Sequence, residues 1–240
     1  MSFGIIDLNI IPVRLKDDAK SEMISQFFFG ETLTIIKKSE KWSFVESNLD
    51  KYRGWIRNIH FKPITKNEYK IIESQNKFFS TNEIKLTKYN NEIVVPTGSL
   101  ISSSEFLGYK YKNLNSNTNF EKTAKGFLNS PYLWGGKTKN GVDCSGLVQS
   151  IYKTINKILP RDSEDQRKIG NVVFENFEVG DLAFFGETKE NITHVGILLN
   201  NEEILHSYGR VRIDKFNEKG IFNNEENRIT HELQIIKRLS

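Results

Sequence analysis

Residues 132–155, which read YLWGGKTKNGVDCSGLVQSIYKTI, decide how the second half of this chain is interpreted. They contain Cys144, the only cysteine of 240 residues, directly after a glycine-rich turn and at the predicted start of a helix. At a helix N-terminus, unpaired backbone N–H groups and the positive end of the helix dipole favour a thiolate over a thiol. Cys144 is therefore a candidate nucleophile. The alternative is that a lone cysteine is a small buried apolar residue.

The residues after Cys144 have the period of an amphipathic helix, with one apolar face formed by Leu147, Val148, Ile151, Tyr152 and Ile155. Such a face must pack against a core. A capping box at residues 118–121 predicts an earlier helix that continues to about residue 129. Three β-type runs follow and predict an antiparallel sheet: 181–185, 194–200 and 202–209. Together these elements predict an α+β domain over residues 118–240.

His194 and His206 lie on two of these predicted strands, on either side of a turn near Asn200. A pairing centred on residue 200 places the two imidazoles directly opposite each other on one face. A strict two-residue turn would shift the register by one and place them on opposite faces. In the first register, Cys144, His194 and His206 form a triad of nucleophile, general base and orienting group.

The histidines allow two other interpretations. Both could be polar residues of a half-exposed sheet. They could also bind zinc together with Cys144, although the chain has no CxxC spacing, no HxxxH spacing and no second thiol. His60 and His231 lie in other sequence contexts and are interpreted as surface residues. We therefore expect no metal and no cofactor.

The first 60 residues consist of short β-type runs bounded by charged or turn residues, and they predict a small all-β barrel over residues 1–60. Trp42, Phe44 and Trp55 are expected to fill its core, because large aromatic residues dominate small cores.

Residues 61–113 repeat this pattern and predict a second, divergent barrel. A possible helix at 67–79 opens it, and a strand is expected at 106–112. The polar stretch 114–119 suits a domain boundary.

Charge and hydropathy exclude two classes of partner. The chain has 34 basic and 30 acidic residues that are interleaved, so no basic block indicates nucleic-acid binding. No segment approaches the ~20 apolar residues of a membrane span.

Asp7, Asn9 and Pro12 interrupt the only apolar run near the N-terminus, which therefore lacks the apolar region of a secretory signal. We expect a cytoplasmic protein, and the oligomeric state is not predicted.

The second half of the chain resembles the NlpC-type cysteine peptidases, which are papain-like endopeptidases that cut bacterial peptidoglycan peptides. The resemblance covers about residues 118–240. It rests on Tyr132-x-Trp134-Gly135-Gly136, Asp143-Cys144-Ser145-Gly146, Gly180-Asp181-Leu182, His194-Val195-Gly196-Ile197 and Leu205-His206-Ser207. It implies that Cys144 is the nucleophile, His194 the base and His206 the third member. Tyr132 resembles the family's tyrosine near the oxyanion site.

The first half resembles bacterial SH3-like domains, through the turns at Ser21-Glu22 and Gly30-Glu31 and through Tyr52-Arg53-Gly54-Trp55. This combination resembles the γ-D-glutamyl-L-diamino acid endopeptidases. Those enzymes take peptidoglycan-derived peptides (muropeptides) with a free N-terminal L-Ala, because the SH3-like domain closes the non-primed side. The resemblance implies hydrolysis of the γ-D-Glu–diamino acid bond during muropeptide recycling.

The resemblance also implies a set of substrate-binding residues: Asp143, Ser145, Ser163 and Trp134, with Glu22 and Tyr52 as candidates from the SH3-like side. An acidic group must neutralise the substrate ammonium, because a buried charge without a partner is costly. Asp143 is alternatively a plain helix N-cap, Ser163 a second N-cap, and Glu22 a solvated carboxylate.

Other functions stay open at this point. These are a general hydrolase of intact peptidoglycan, a wall-binding module without activity, and an amidase or acyltransferase on the same scaffold.

Overall fold

The computed structural model describes residues 2–112 and 119–239. The chain divides into two compact units, Met1–Thr118 with Tyr152–Ile158, and Asn119–Ile151 with Leu159–Ser240. No helix among the described residues is long and apolar enough to cross a membrane.

The first unit begins with a seven-stranded antiparallel sheet. Its strands are β1 (Ser2–Ile5), β2 (Ile10–Arg14), β3 (Met23–Phe28), β4 (Thr32–Lys38), β5 (Trp42–Ser47), β6 (Arg53–Arg57) and β7 (Lys62–Ile64). They lie in the order β3-β2-β6-β5-β4-β1-β7. Apolar residues on the inward face form the core, among them Ile11, Val13, Phe27, Leu33, Val45 and Ile56. The all-β expectation for the first residues is confirmed.

The aromatic residues expected in this core lie elsewhere. Trp42, Phe44 and Trp55 are only partly buried, and the rings of Phe44 and Trp55 are 5.4 Å apart. The buried positions of β5 and β6 are occupied by Val45 and Ile56. Because side chains alternate along a strand, the aromatic neighbours of these two residues lie on the opposite face.

The rest of the first unit is a three-stranded sheet with short helices. Its elements are α1 (Lys66–Ser74), β8 (Ile84–Lys88), β9 (Asn91–Val95), α2 (Ser104–Leu107) and β10 (Lys110–Tyr111). The helix predicted near residue 67 is confirmed. The strand expected at 106–112 is wrong in its first part, because Leu107 ends α2 and Gly108 follows with a φ of +78°. In the region where residues 61–113 were expected to form a second barrel, the described residues form this three-stranded sheet. The domain boundaries stay predictions.

The second unit is the α+β domain that the sequence predicts. Its elements are α3 (Phe120–Lys125), β11 (Lys137–Thr138), β12 (Gly141–Val142), α4 (Cys144–Lys153, whose last two residues count to the first unit), α5 (Ser163–Gln166), β13 (Asn171–Val172), β14 (Leu182–Thr188), β15 (Asn191–Leu198), β16 (Glu203–Tyr208), β17 (Arg210–Asn217), β18 (Gly220–Asn223) and β19 (Arg228–Arg238). The large sheet runs β13-β19-β14-β15-β16-β17-β18. Strand β19 also pairs with β18, so six strands form a closed ring.

Two details of the helices differ from expectation. Helix α3 ends at Lys125, earlier than predicted, and the Asn119 side chain caps it by accepting the N–H of Glu121. Most of the boundary stretch 114–119 lies outside the described residues. On α4, Leu147, Val148, Ile151 and Tyr152 are buried as predicted, whereas Ile155 lies beyond the helix end and is 41% exposed.

Candidate active site

Cys144 is the first residue of α4, as the sequence predicts. One carboxylate oxygen of Asp143 accepts the N–H of Gly146 at 2.7 Å and so caps the helix. The other oxygen accepts the N–H of Gly135, in the glycine-rich turn, at 2.8 Å. Gly146 lies so near this turn that a Cβ there would be 2.2 Å from the carbonyl oxygen of Gly136. The turn and the helix start are therefore held together around Cys144.

A buried arginine completes this corner of the domain. Arg161 donates from Nη1 and Nη2 to the two carboxylate oxygens of Asp143, at 3.1 and 2.5 Å. Its Nη1 also donates to Oγ of Ser145 at 2.7 Å. All three side chains are buried, and the bidentate geometry is the strong form of this ion pair. The N-cap interpretation of Asp143 is confirmed, and sequence reasoning missed its partner Arg161.

The thiol is buried, with 7% of Cys144 exposed. Burial raises the pKa of Cys144 to about 11, and the negative charge of Asp143 acts in the same direction. The backbone N–H groups of Val195 and Ser145 donate to the sulfur and lower its pKa, but they do not outweigh burial. The pKa of Cys144 is therefore shifted in the direction opposite to the one that the helix start alone predicts. The bond from Val195 places the sulfur beside β15, next to His194 in sequence.

The two predicted histidines meet inside the domain. Nε2 of His194 lies 3.0 Å from Nδ1 of His206, and both residues are buried. The predicted register is wrong by two residues, because His206 pairs with Gly196 and not with His194. A shift of two keeps both side chains on the same face, so the rings meet along the diagonal. Gly196 leaves room for this contact, since a Cβ there would lie 3.1 Å from Cβ of His206.

An acidic residue that sequence reasoning missed continues this line of contacts. Nε2 of His206 lies 3.0 Å from Oδ2 of Asp214, and Nη2 of Arg212 donates to Oδ1 of Asp214 at 3.0 Å. Burial raises the pKa of Asp214, but the hydrogen bonds from His206 and Arg212 hold it below its ordinary value. An ionised carboxylate only accepts, so Nε2 of His206 carries a proton and its Nδ1 accepts from His194. Nδ1 of His194 is then the nitrogen left to act as base.

His231, expected on the surface, lies against this pair. Its ring stacks on His194, with centroids 4.2 Å apart and planes 30° apart. Burial and the neighbouring His206 lower the pKa of His231 to about 4. Burial, then His206 and His231, lower the pKa of His194 well below its ordinary value. His194 is thus neutral at pH 7 and able to accept a proton.

Tyr132 and Trp134 come from the glycine-rich turn. Tyr132 donates its N–H to the carbonyl oxygen of Gly209 at 2.9 Å. Burial and the charges of Cys144 and Asp143 raise the pKa of Tyr132 to about 12, so its hydroxyl stays a proton donor. Trp134 is 59% exposed, which leaves its ring accessible to a ligand.

The remaining predicted binding residues are distributed over both units. Ser163 is the first residue of α5 and Asp162 occupies the N-cap position, so the N-cap interpretation of Ser163 is wrong. Glu22 precedes β3, and Tyr52 lies between β5 and β6, both in the first unit. The substrate-binding roles of Asp143, Ser145, Ser163, Trp134, Glu22 and Tyr52 stay predictions.

Both halves of the chain match known protein families. Residues 129–226 match the NlpC/P60 family, and residues 14–60 match the bacterial dipeptidyl-peptidase SH3 domain. Gamma-D-glutamyl-L-lysine dipeptidyl-peptidases of Bacillus subtilis and Bacillus cereus are 44% and 39% identical over 89 and 88 residues. These stretches are 36% and 35% of this chain but only 30% and 26% of the two relatives.

Solved structures share the fold over nearly the whole chain. The crystal structure of an NlpC/P60 family protein from Bacillus cereus is 20% identical and covers 99% of each chain, with a TM-score of 0.76. An NlpC/P60 endopeptidase from Photobacterium damselae subsp. piscicida is 16% identical, covers 97% of this chain and 70% of its own, and has a TM-score of 0.69.

Proposed function

Residues 129–226 form an NlpC/P60 domain and residues 14–60 a bacterial SH3 domain, and on this premise we propose that the protein is a cysteine peptidase. Its proposed substrate bond is the γ-D-Glu–diamino acid bond of peptidoglycan-derived peptides. The observation that carries the proposal is the line of buried contacts from His194 through His206 to Asp214, beside the thiol of Cys144.

The geometry supports acyl transfer through the thiol. Nδ1 of His194 takes the proton of Cys144 while the sulfur attacks the scissile carbonyl carbon. The imidazolium that forms donates from Nε2 to His206, which Asp214 holds in the accepting tautomer. Burial raises the pKa of Cys144 and lowers that of His194, so the proposed step moves the thiol proton to Nδ1 of His194 as the sulfur attacks.

The same proton then completes the reaction. His194 gives it to the leaving amine of the diamino acid, and a γ-D-glutamyl thioester remains on Cys144. A water molecule, deprotonated by His194, hydrolyses this thioester and restores the thiol. Both half-reactions use the same base.

A free N-terminal L-Ala on the substrate is the finer part of the proposal. Two curated relatives are named dipeptidyl-peptidases, and the SH3 match carries the same term, which is consistent with an enzyme that binds a free amine. Arg161 already balances the charge of Asp143, so a second carboxylate has to neutralise the ammonium. Glu22, chosen from the sequence resemblance, is our candidate, with Tyr52 and Ser163 as hydroxyl partners.

We propose further that the protein recycles released peptides and does so in the cytoplasm. In intact peptidoglycan the L-Ala amine is amide-linked to muramic acid, so only released peptides expose it. We include this location and role in the proposal.

The test compares the tripeptide L-Ala-γ-D-Glu-L-Lys with its N-acetylated form. Loss of one charge-assisted hydrogen bond costs about 1.5–3 kcal/mol, so the acetylated peptide should be cut at least ~10-fold more slowly. Glu22→Gln should reduce this ratio, and Glu40→Gln, at an exposed glutamate of the same unit, should leave it unchanged. Equal rates on both peptides would contradict the recycling role and favour general wall hydrolysis.

A further inference from the structure

Three imidazoles meet at one place in the second unit. One ring nitrogen each of His194, His206 and His231 lies within 4.8 Å of the other two. The ring centroid of His206 lies 5.2 Å from that of His194 and 5.6 Å from that of His231. The proposed peptidase mechanism uses His194 and His206 and leaves His231 without a task.

We propose that His194, His206 and His231 form a binding site for Zn²⁺, and that Zn²⁺ bound there blocks the peptidase. Imidazole is a preferred ligand of zinc and related divalent transition metals. Zinc–nitrogen bonds of about 2.0–2.1 Å place the nitrogens of a tetrahedral site about 3.4 Å apart. The pair His194 and His206 is already at 3.0 Å. The rings of His194 and His206 have to turn until both nitrogens face the metal, and His231, which is partly buried on β19, has to approach them.

The hydrogen bonds around the rings leave His206 and His231 one nitrogen each for a metal. Asp214 accepts from Nε2 of His206, so the lone pair of its Nδ1 is aimed at His194. A carboxylate that holds a histidine in this way is the usual outer partner of a metal-bound imidazole. Thr230 lies 2.9 Å from Nδ1 of His231, and its hydroxyl can accept from that nitrogen, which leaves Nε2 for the metal.

Inhibition follows from the tautomer that the metal imposes. When Nε2 of His194 binds Zn²⁺, a neutral imidazole carries its proton on Nδ1. That is the nitrogen which has to accept the proton of Cys144. This consequence rests on the proposed peptidase function, whereas metal binding by the three histidines does not. Activity is accordingly expected to survive EDTA.

The experiment separates binding from catalysis. Binding of Zn²⁺ to the full-length Cys144→Ala protein is measured by calorimetry, with Co²⁺ absorption as a second probe. We expect one equivalent bound. His231→Ala and, as a second variant, His231→Gln should each weaken binding by at least ~10-fold, and Asp214→Asn by about 10- to 100-fold. His60→Ala removes a histidine of the first unit and should change nothing. Circular dichroism confirms that each variant is folded.

Either of two results would overturn the proposed zinc site. The first is that the Cys144→Ala protein binds no Zn²⁺, and the second is that neither His231 variant lowers the affinity for Zn²⁺. Inhibition is measured separately, as the rate at which the wild-type protein hydrolyses the peptide at increasing concentrations of Zn²⁺. Stoichiometric binding without inhibition would overturn the blocking role alone. If no peptide is hydrolysed under any condition but the three-histidine binding stands, the proposed function fails and the metal site does not.

Discussion

Nε2 of His206 lies 3.0 Å from Oδ2 of Asp214, so a buried carboxylate extends the line of contacts beyond the two histidines. This bond decides which nitrogen of His206 carries its proton, and therefore which nitrogen of His194 is free to act as base. In the proposed mechanism Asp214 acts through His206 and not on the substrate. It is then a positioning residue, and its loss should change how the base works without removing it.

Asp214→Asn should lower kcat by about 10- to 100-fold, because a charge-assisted hydrogen bond contributes about 1.5–3 kcal/mol. KM should change little. Burial lowers the pKa of His206 below its ordinary value, and Asp214 acts against this by favouring the charged imidazole. Without that carboxylate the His194–His206 pair should protonate less readily, so the acid limb of the kcat/KM profile should move to lower pH in the variant. Asp165→Asn, at an exposed carboxylate of α5, is the matched control. An unchanged kcat together with an unchanged pH profile would show that Asp214 has no part in the reaction.

His206→Ala should leave a small residual rate, because a water molecule can partly replace an orienting group. His206→Gln should be more active than His206→Ala, since its amide oxygen can accept from Nε2 of His194. The comparison of kcat between the two variants measures this rescue. Equal rates for both would argue that His206 only fills space.

Alkylation of Cys144 by iodoacetamide should be slow at pH 7 and accelerate with pH. Burial raises the pKa of this thiol to about 11, so the reactive thiolate fraction grows about tenfold per pH unit below that value. The inactivation rate is measured from pH 6 to 10, with glutathione as a reference thiol. A rate that is already at its plateau near pH 7 would mean that the helix start stabilises a resting thiolate after all.

Arg161→Met should destabilise the protein by about 3–5 kcal/mol, because it leaves the carboxylate of Asp143 buried without its cation. Urea unfolding at pH 7 gives the change in unfolding free energy. Lys168→Met breaks an exposed ion pair with Asp165 and should cost no more than about 1 kcal/mol. Similar losses in both variants would contradict the structural role assigned to the buried pair.

Local sequence patterns were sufficient to place Cys144 at the start of a helix and His194 on the same face of the sheet as His206. Cys144 begins a helix because a capping aspartate precedes it and an apolar period follows it. His194 and His206 lie on the same face of the sheet whether His206 pairs with His194, as predicted, or with Gly196, as observed, because the two registers differ by two residues. The pattern could not choose between these registers, and in the structure His206 pairs with Gly196, where a Cβ would lie 2.7 Å from Cδ1 of Ile204 and 3.1 Å from Cβ of His206.

Asp214 and His231 were not predicted as site residues, because strand pairing brings them to the two histidines. The β16–β17 hairpin turns at Gly209 and pairs His206 with Arg212, so counting from that turn would have placed Asp214 diagonally beside His206. No comparable count reaches His231, because β19 joins the ring through both β14 and β18. Only the closed sheet brings this histidine to the other two.

The central claim is tested most directly by mass spectrometry of L-Ala-γ-D-Glu-L-Lys incubated with wild-type protein and with Cys144→Ala. In the proposed mechanism the thiol of Cys144 forms the covalent intermediate. We predict that the wild type releases L-Ala-γ-D-Glu and lysine, and that the mass-verified variant releases neither while remaining folded. Release of the same products by Cys144→Ala at the wild-type rate, or wild-type cleavage at a different bond, would contradict the account.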